Sequence, residues 1–265
     1  MAVSRGGTVG SGPLKAYVLH QWDWSESSLI VELWTRERGR LAVVAKGAKR
    51  PTSNFRALLF PFHCLGVSLG RAPAEADAEL FNLRAAEWMG RGPAPAGEAL
   101  MSGFYANELL LRLLPRLDAH PVLWDAYADT LQALAEAPAA AGTAQAALRG
   151  FELALLRELG WLPDLAVVSS TQQPVTPTTL YGLDPEFGVL EEPDASLGLP
   201  GAWLLAASMA LSNNAWAAVR TLSAPMGAAL RHQLRRLVHY HLGASTLRTR
   251  EVWRGMQQLS RPETR

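Results

Sequence analysis

The segment Ser28–Lys46, "SLIVELWTRERGRLAVVAK", decides the fold of the first third of the chain. Apolar and polar residues alternate in it with the period of two that is typical of β-strands. One face of its first strand carries Leu29, Val31 and Leu33, and the other carries Ile30, Glu32 and Trp34. Arg38-Gly39 is predicted as a turn, because glycine adopts the backbone angles that a tight turn requires. The segment is therefore predicted to be a hairpin of Ser28–Arg36 and Arg40–Lys46.

Three further strands surround this hairpin. Lys15–Trp24 precedes it, and Leu58–Leu69 and Asp77–Met89 follow it, with Asn54–Leu58 as a short helical turn. Five short strands with one small helix near the middle favour a small Greek-key barrel such as an OB-fold. A five-stranded SH3-like barrel is the alternative.

From Ala96 the apolar period changes to 3.6, which is typical of helices. The predicted helices are Gly97–Leu114, Pro121–Glu136, Thr143–Leu159, Ala202–Leu211, Pro225–Leu242 and Thr249–Leu259. Residues 162–200 are loop-like, with several prolines and weak strand patterns. The predicted class is α+β: a flexible tail (residues 1–13), an OB-fold β-barrel (14–92) and an all-helical C-terminal domain (93–265).

The composition excludes several classes of protein. Of the 265 residues, 49% are apolar and 18% are charged, which excludes a disordered or collagen-like chain. No apolar run reaches the roughly 18 residues of a membrane span, and Met1–Gly12 lacks the apolar region of a signal peptide. Cys64 is the single cysteine, so neither an internal disulfide nor a thiolate-based zinc site is expected. We expect a cytoplasmic protein without cofactor or metal.

The formal net charge of +1 conceals three regions of different sign. Residues 1–92 contain twelve Lys and Arg against eight Asp and Glu. Residues 93–214 contain four Arg against fourteen acids, and residues 215–265 contain nine Arg against two acids. Basic ends around an acidic middle indicate a polyanionic partner for the ends, and a patchy solubilising surface is the alternative.

No motif in the chain indicates catalysis. Glu191 and Glu192 lie in a proline-rich loop without a partner histidine. His239 and His241 are two residues apart, and side chains with that spacing point away from each other on a helix. We therefore expect a protein that is not an enzyme.

A basic and aromatic cluster is the strongest functional signal. Seven cations fall within 21 residues and are opposed only by Glu37: Arg36, Arg38, Arg40, Lys46, Lys49, Arg50 and Arg56. On an OB-like barrel these positions border the face that binds oligonucleotides. An exposed Trp34 there could stack on a base, although it could equally pack under the following loop. For Phe55, a place in the core is favoured over exposure.

Four ordered segments closely resemble the bacterial recombination mediator family RecO. They are "AYVLHQWDWSESSLIVELWTRERGRLAVVAKGAKRP" (16–51), "FYANELLLRLLP…HPVLWDAYADTLQAL" (104–134), "FELALLRELGWLPDL" (151–165) and "HLGASTLRTREVW" (241–253). The resemblance implies an OB-fold followed by a helical domain. It also implies binding of single- and double-stranded DNA, annealing of complementary strands and help in loading the RecA recombinase. The implied protein partners are RecR and the C-terminal tail of the single-strand binding protein SSB.

The chain departs from this family in one respect. Many relatives carry four cysteines after the "RELG" helix as a zinc site, whereas residues 165–190 contain none here. We therefore expect this segment to be held by packing, through Tyr181 and Phe187.

The resemblance and the charges together lead to a residue assignment. Besides the barrel cluster, the candidate DNA-binding residues are the C-terminal arginines Arg231, Arg235, Arg236, Arg248, Arg250 and Arg254. The acidic SSB tail ends in an aromatic residue, so its dock should combine an apolar pocket with a basic rim. The candidates for that rim are the only cations of the acidic region: Arg112, Arg116, Arg149 and Arg157. Ordinary helix-surface ion pairs would use the same residues.

Two other classes of function remain open at this point. An RNA- or ribosome-associated OB-fold protein would share the basic barrel. A protein–protein adaptor would show little salt-dependent binding to nucleic acid.

Overall fold

The structure is a computed structural model that describes residues 12–70, 80–90, 94–136, 142–243, 246–249, 251–252 and 255. The chain forms two compact units, residues 1–91 and 92–265. Within the described residues, no helix combines the length and the apolar character needed to cross a membrane.

The first unit is a closed five-stranded barrel. Its elements are β1 (Leu14–Asp23), β2 (Leu29–Thr35), β3 (Gly39–Ala45), α1 (Phe55–Leu58), β4 (Cys64–Leu69) and β5 (Leu80–Trp88). The strand order is β1-β2-β3-β5-β4, and β3 pairs with β5 in parallel while the other pairs are antiparallel. This OB-like arrangement, with a helix between β3 and β4, confirms the predicted fold class. The SH3-like alternative is not adopted.

The alternating pattern of the sequence fills the barrel. Inward residues of all five strands, together with Ala48 and Leu59, form one buried cluster: Ala16, Val18, Val31, Leu33, Leu41, Val43, Ala45, Leu65, Val67 and Leu83. Phe55 is partly buried and packs against this cluster, as favoured from the sequence. The start of the predicted fifth strand, residues 77–79, lies outside the described residues.

The turn between β2 and β3 is built as the sequence predicts. The Thr35 hydroxyl donates to the Gly39 carbonyl at 2.9 Å and accepts from the Arg38 amide at 3.1 Å. Gly39 has a φ of +71°, which glycine adopts without the steric cost that a Cβ would bring. These contacts fix the register of the hairpin.

The second unit is mainly helical. Its helices are α2 (Glu98–Leu113), α3 (Pro121–Glu136), α4 (Thr143–Glu158), α5 (Gly201–Ser212), α6 (Trp216–Ser223) and α7 (Gly227–Leu242). Helix α4 is the central one, because it packs against α2, α3, α6 and α7. Five of these helices begin and end within two residues of the predicted ones. Most of the predicted helix Thr249–Leu259 lies outside the described residues.

Helix α6 was not predicted from the sequence. Its eight residues make about two turns, which is too short for a reliable helical period. Tertiary contacts fix it instead: Trp203 Nε1 donates to the Leu222 carbonyl at 2.8 Å, and Arg220 forms an ion pair with Asp129 of α3.

The prediction of a loop for residues 162–200 is wrong in part, because they include a three-stranded antiparallel sheet. Strands β6 (Leu180–Asp184), β7 (Gly188–Glu191) and β8 (Leu199–Pro200) have the order β7-β6-β8. Tyr181 is buried, as expected, but Phe187 is 65% exposed and does not hold the segment. Within the described residues, no group of three or more His, Cys, Asp or Glu could hold a metal ion.

Gln233 of α7 connects this sheet to the helices. Its side chain is fully buried; Oε1 accepts from the Leu183 amide at 3.0 Å, and Nε2 donates to the Leu197 carbonyl at 2.8 Å. One amide thus satisfies backbone groups of two segments, which fixes the position of β6 against α7.

We expect Gln233→Ala to lower the free energy of unfolding by about 2–4 kcal/mol, because the Leu183 N–H and the Leu197 C=O lose their partner in a buried place. Urea unfolding at pH 7 measures the change. Gln132→Ala is the control, because Gln132 is exposed and its side chain donates to Glu136 one turn away. Equal stability of the two variants would contradict this role of Gln233.

Candidate nucleic-acid interface

The seven barrel cations do not form one patch. The register pairs Thr35 with Gly39 at one end of the β2–β3 hairpin and Leu29 with Ala45 at the other. Seven residues at roughly 3.3 Å each separate the two ends by about 20 Å. Arg36 and Arg38 therefore lie at the turn end, whereas Lys46, Lys49 and Arg50 follow β3 at the opposite end. Arg56 is exposed on α1.

Two cations near the turn end are held by the protein itself. Arg40 Nη1 lies 2.9 Å from Glu32 Oε1, and the Glu32 side chain is only 1% exposed. The guanidinium of Arg38 lies over the Phe81 ring, 5.1 Å from its centre, in a cation–π contact. The expectation that Arg40 presents its charge to a ligand is wrong, because a buried carboxylate needs a partner and Arg40 provides it.

At the other end, Lys49 joins two loops. Its ammonium donates to the Ser25 carbonyl at 2.8 Å and pairs with Asp23 at 2.9 Å, and its amide donates to the Ser27 carbonyl at 2.9 Å. The β1–β2 loop is thereby attached to the segment after β3.

Between these loops lies a depression of about 360 Å³, which we call the loop site. It is lined by Trp24, Ser25, Ser27, Ser28, Val44, Lys46, Gly47 and Arg50. Lys46 and Arg50 are exposed, and their side chains form no ion pair with any carboxylate in the described part of the chain. The positive charge of the loop site therefore remains available to an anion.

Of the two alternatives for Trp34, the covered one is adopted: Trp34 is 0% exposed, so its indole is not available to stack on a base. Strand alternation places Trp34 on the outward face of β2 but does not say whether that face is covered. At the loop-site end of the barrel the exposed indoles are Trp22 (43%), near the end of β1, and Trp24 (59%), just after it. A signal was present in the sequence, because Trp24 stands beside Asp23 and the serine-rich run Ser25–Ser28, which has no core pattern.

The arginines of α7 face different surroundings. Arg231 and Arg235 line a cavity of about 520 Å³, together with Met101, Leu148, Leu247 and Arg149. Arg236 points elsewhere, and its guanidinium pairs with Asp184 of β6 at 2.7 Å. Arg248 is exposed, whereas Arg250 and Arg254 lie outside the described residues. We call the cavity that Arg231 and Arg235 line the helical cavity.

Glu152, a buried acid in the wall of the helical cavity, offsets the charge of Arg149. The carboxylate of Glu152 is 1% exposed; it accepts from Tyr105 Oη at 2.7 Å and pairs with Arg149 at 2.9 Å. Burial raises the pKa of Glu152, although Arg149 and Tyr105 oppose this shift. Burial and the charge of Arg235 lower the pKa of His239, which is therefore neutral at pH 7. The other charged residues of the lining are Arg231, Arg235 and Glu98, so the two arginines outweigh one acid there.

The four arginines predicted as a rim do not come together. Arg112 pairs with Glu108 at 2.9 Å, and Arg157 donates to the Leu211 carbonyl and, at 3.0 Å, to Asn214 Oδ1. Arg116 follows α2 and is exposed. Arg149 is the only member of the four among the residues that line the helical cavity. A sequence count identifies the cations but not their partners.

Glu108 anchors the C-terminal segment to α2. Its carboxylate accepts from the amides of Arg248 and Thr249 at 2.8 and 2.9 Å and from the Thr249 hydroxyl at 2.7 Å. Burial by itself would raise the pKa of Glu108, but these bonds and the charge of Arg112 together lower the pKa below its ordinary value of 4.5.

Comparisons with known proteins match both units of the chain to the same family. The family described as "Recombination protein O N terminal" matches residues 13–90, and "Recombination protein O C terminal" matches residues 95–251. A protein of Variovorax paradoxus named DNA repair protein RecO is 50% identical over 251 residues, which are 92% of this chain and 96% of that relative. The protein of the same name from Polaromonas sp. is 46% identical over 253 residues, which are 95% of this chain and 98% of that relative.

We expect the free energy of unfolding to fall as the pH drops below 4.5 and through the lowered pKa of Glu108. In that range the unfolded chain binds the proton more readily than the folded chain, so the stability that Glu108 contributes at pH 7 is lost. Urea unfolding at pH 7 and pH 4 measures this loss. Glu108→Gln should be less stable than the parent at pH 7 and should lose less on acidification; an unchanged pH dependence would contradict the assignment.

Proposed function

This chain belongs to the RecO family of DNA repair proteins, and on that premise we propose that it acts as a recombination mediator on DNA. A role in DNA repair and recombination follows from the family. The proposal adds that the protein binds single- and double-stranded DNA, anneals complementary strands and helps to load RecA onto SSB-coated DNA. The observation that carries it is the loop site, where Lys46 and Arg50, which form no ion pair within the described residues, lie beside an exposed Trp24.

The chemistry required of such a protein is electrostatic. Cationic side chains neutralise phosphates and release counterions, so two strands held by one protein repel each other less. Complementary bases can then pair without any covalent step. We infer from this that the protein is not an enzyme and that its site residues act by binding alone. Its proposed location is the cytoplasm, in association with the nucleoid.

We further propose that the helical cavity takes the C-terminal tail of SSB. An acidic peptide that ends in an aromatic residue needs an apolar pocket and cations beside it, and this cavity combines Met101, Leu148 and Leu247 with Arg231 and Arg235. This assignment replaces the rim of four arginines predicted from the sequence. We also propose RecR as a partner of this protein, and RecA as a partner in function.

The double variant Lys46→Glu/Arg50→Glu should weaken binding of DNA, because it removes two cations that contact phosphate. The slope of log affinity against log salt should fall by about one unit per lost contact. Fluorescence anisotropy with labelled single strands and duplexes at several salt concentrations measures the slope. Annealing of complementary, SSB-coated oligonucleotides should slow in parallel.

Arg38→Glu is the control for the single variants Lys46→Glu and Arg50→Glu, because it makes the same change of charge at the other end of the hairpin, where Arg38 contacts Phe81. Unchanged affinity of the double variant at low salt would remove the loop site from the proposal. A parent protein that prefers structured RNA in competition, and does not stimulate annealing, would instead support an RNA-binding function.

For the tail, we expect Arg231→Ala/Arg235→Ala to lower affinity for an SSB C-terminal peptide about tenfold or more, since two charge-assisted contacts are lost. Isothermal titration calorimetry with the peptide measures this. Arg236→Ala is the control, because Arg236 is on the same helix but pairs with Asp184 outside the cavity. Equal losses in both variants would show that the peptide does not enter this cavity.

A further inference from the structure

We propose that the loop site favours single strands over duplexes: the Trp24 indole stacks on one unpaired nucleobase while Lys46 and Arg50 bind the adjacent phosphates. This inference rests on the proposed function, since it takes DNA as the ligand. It adds that the loop site favours single-stranded DNA and that the Trp24 side chain causes this preference.

The position of Trp24 is the first argument. Its side chain is 59% exposed at the residue that follows β1, and it lines the same depression as Lys46 and Arg50. An aromatic ring beside cations is the combination by which proteins bind single strands, because every base has a face on which the ring can stack. In a duplex those faces are covered by neighbouring base pairs, so the indole has a stacking partner only in an unpaired strand.

The second argument is that the loop is already ordered in the free protein. The Trp24 amide donates to the Ser28 carbonyl at 3.2 Å, and the Ser28 amide donates to Ser25 Oγ at 3.2 Å. Lys49 then fixes the loop through the Ser25 and Ser27 carbonyls. A loop held in this way loses little conformational entropy when a ligand binds. Lys49 is therefore a positioning residue, and its ammonium forms an ion pair with Asp23.

The third argument is the shape of the cationic wall. Gly47 has a φ of +70° and no side chain, and the Arg50 side chain lies over it, with Cδ 3.6 Å from the place that a Cβ on Gly47 would occupy. The lining around Gly47 therefore consists of backbone and of the Arg50 stem. A phosphate backbone can approach such a wall closely while its base lies on the indole.

The test compares three ligands of equal length: a single-stranded oligonucleotide, the same strand with abasic residues throughout, and a duplex. The abasic strand keeps the phosphates and lacks the bases. Trp24→Ala should lower the affinity for the ordinary single strand about tenfold, a change within the range measured for base–aromatic stacking. Its affinities for the abasic strand and the duplex should stay within about twofold of the parent. Trp24→Phe should restore most of the loss.

Two controls separate stacking from folding. Trp24→Leu keeps apolar volume but has no aromatic face, so it should behave as Trp24→Ala does and shows the effect if the alanine variant does not fold. Trp88→Ala removes a comparably exposed indole (48%) that packs on His63 outside the loop site, and it should leave all three affinities unchanged.

The outcomes distinguish the inference from the proposed function. An equal loss for all three ligands, or no loss for the single strand, overturns the stacking role of Trp24. In both cases DNA binding by this protein still stands if Lys46→Glu/Arg50→Glu weakens it. If the parent protein binds none of the three ligands, the proposed function itself is overturned.

Discussion

The bonds of Lys49 are the contacts on which the candidate interface depends. They connect the β1–β2 loop to the segment after β3 through carbonyls of Ser25 and Ser27, 24 and 22 positions earlier in the chain. Without this connection Trp24 and Arg50 would belong to two independent loops. The β2–β3 pairing makes it possible, because the pairing of Leu29 with Ala45 brings the two loops to the same end.

The charged residues divide into those that stabilise the protein and those that remain available to a ligand. Arg40 and Arg236 each pair with a carboxylate of their own unit, Glu32 and Asp184. Glu32 is buried, and a buried carboxylate without such a partner would be strongly destabilising, so Arg40 stabilises the barrel. Lys46 and Arg50 in the barrel and Arg231 and Arg235 on α7 form no ion pair within the described residues, and all four line depressions.

The small sheet of the helical unit illustrates how one side chain can organise a segment. The family resemblance implied a zinc site there, and residues 165–190 contain no cysteine to build one. The buried amide of Gln233 instead satisfies two backbone groups, and Asp184 caps the β6–β7 turn by accepting from the amides of Glu186 and Phe187 at 2.9 and 3.0 Å. The hairpin is therefore held by hydrogen bonds, and Phe187 stays exposed at its end.

Several features could be predicted from the sequence by itself: the barrel followed by helices, the β2–β3 turn at Gly39, five of the helices and the basic stretch Arg36–Arg56. They follow from local periodicity, turn chemistry and composition, which are properties of neighbouring residues. Tertiary structure alone decided that Trp34 is covered and Trp24 exposed, and that α6 and the small sheet form. It also decided that Arg40 pairs with a carboxylate, whereas Arg50 pairs with none in the part of the chain that the structure describes. The physical reason is that burial and ion pairing depend on groups distant in the chain, such as Asp129 for Arg220 and Gln233 for Leu183. Alternation assigns a residue to a face, and only the packed fold determines what lies against that face.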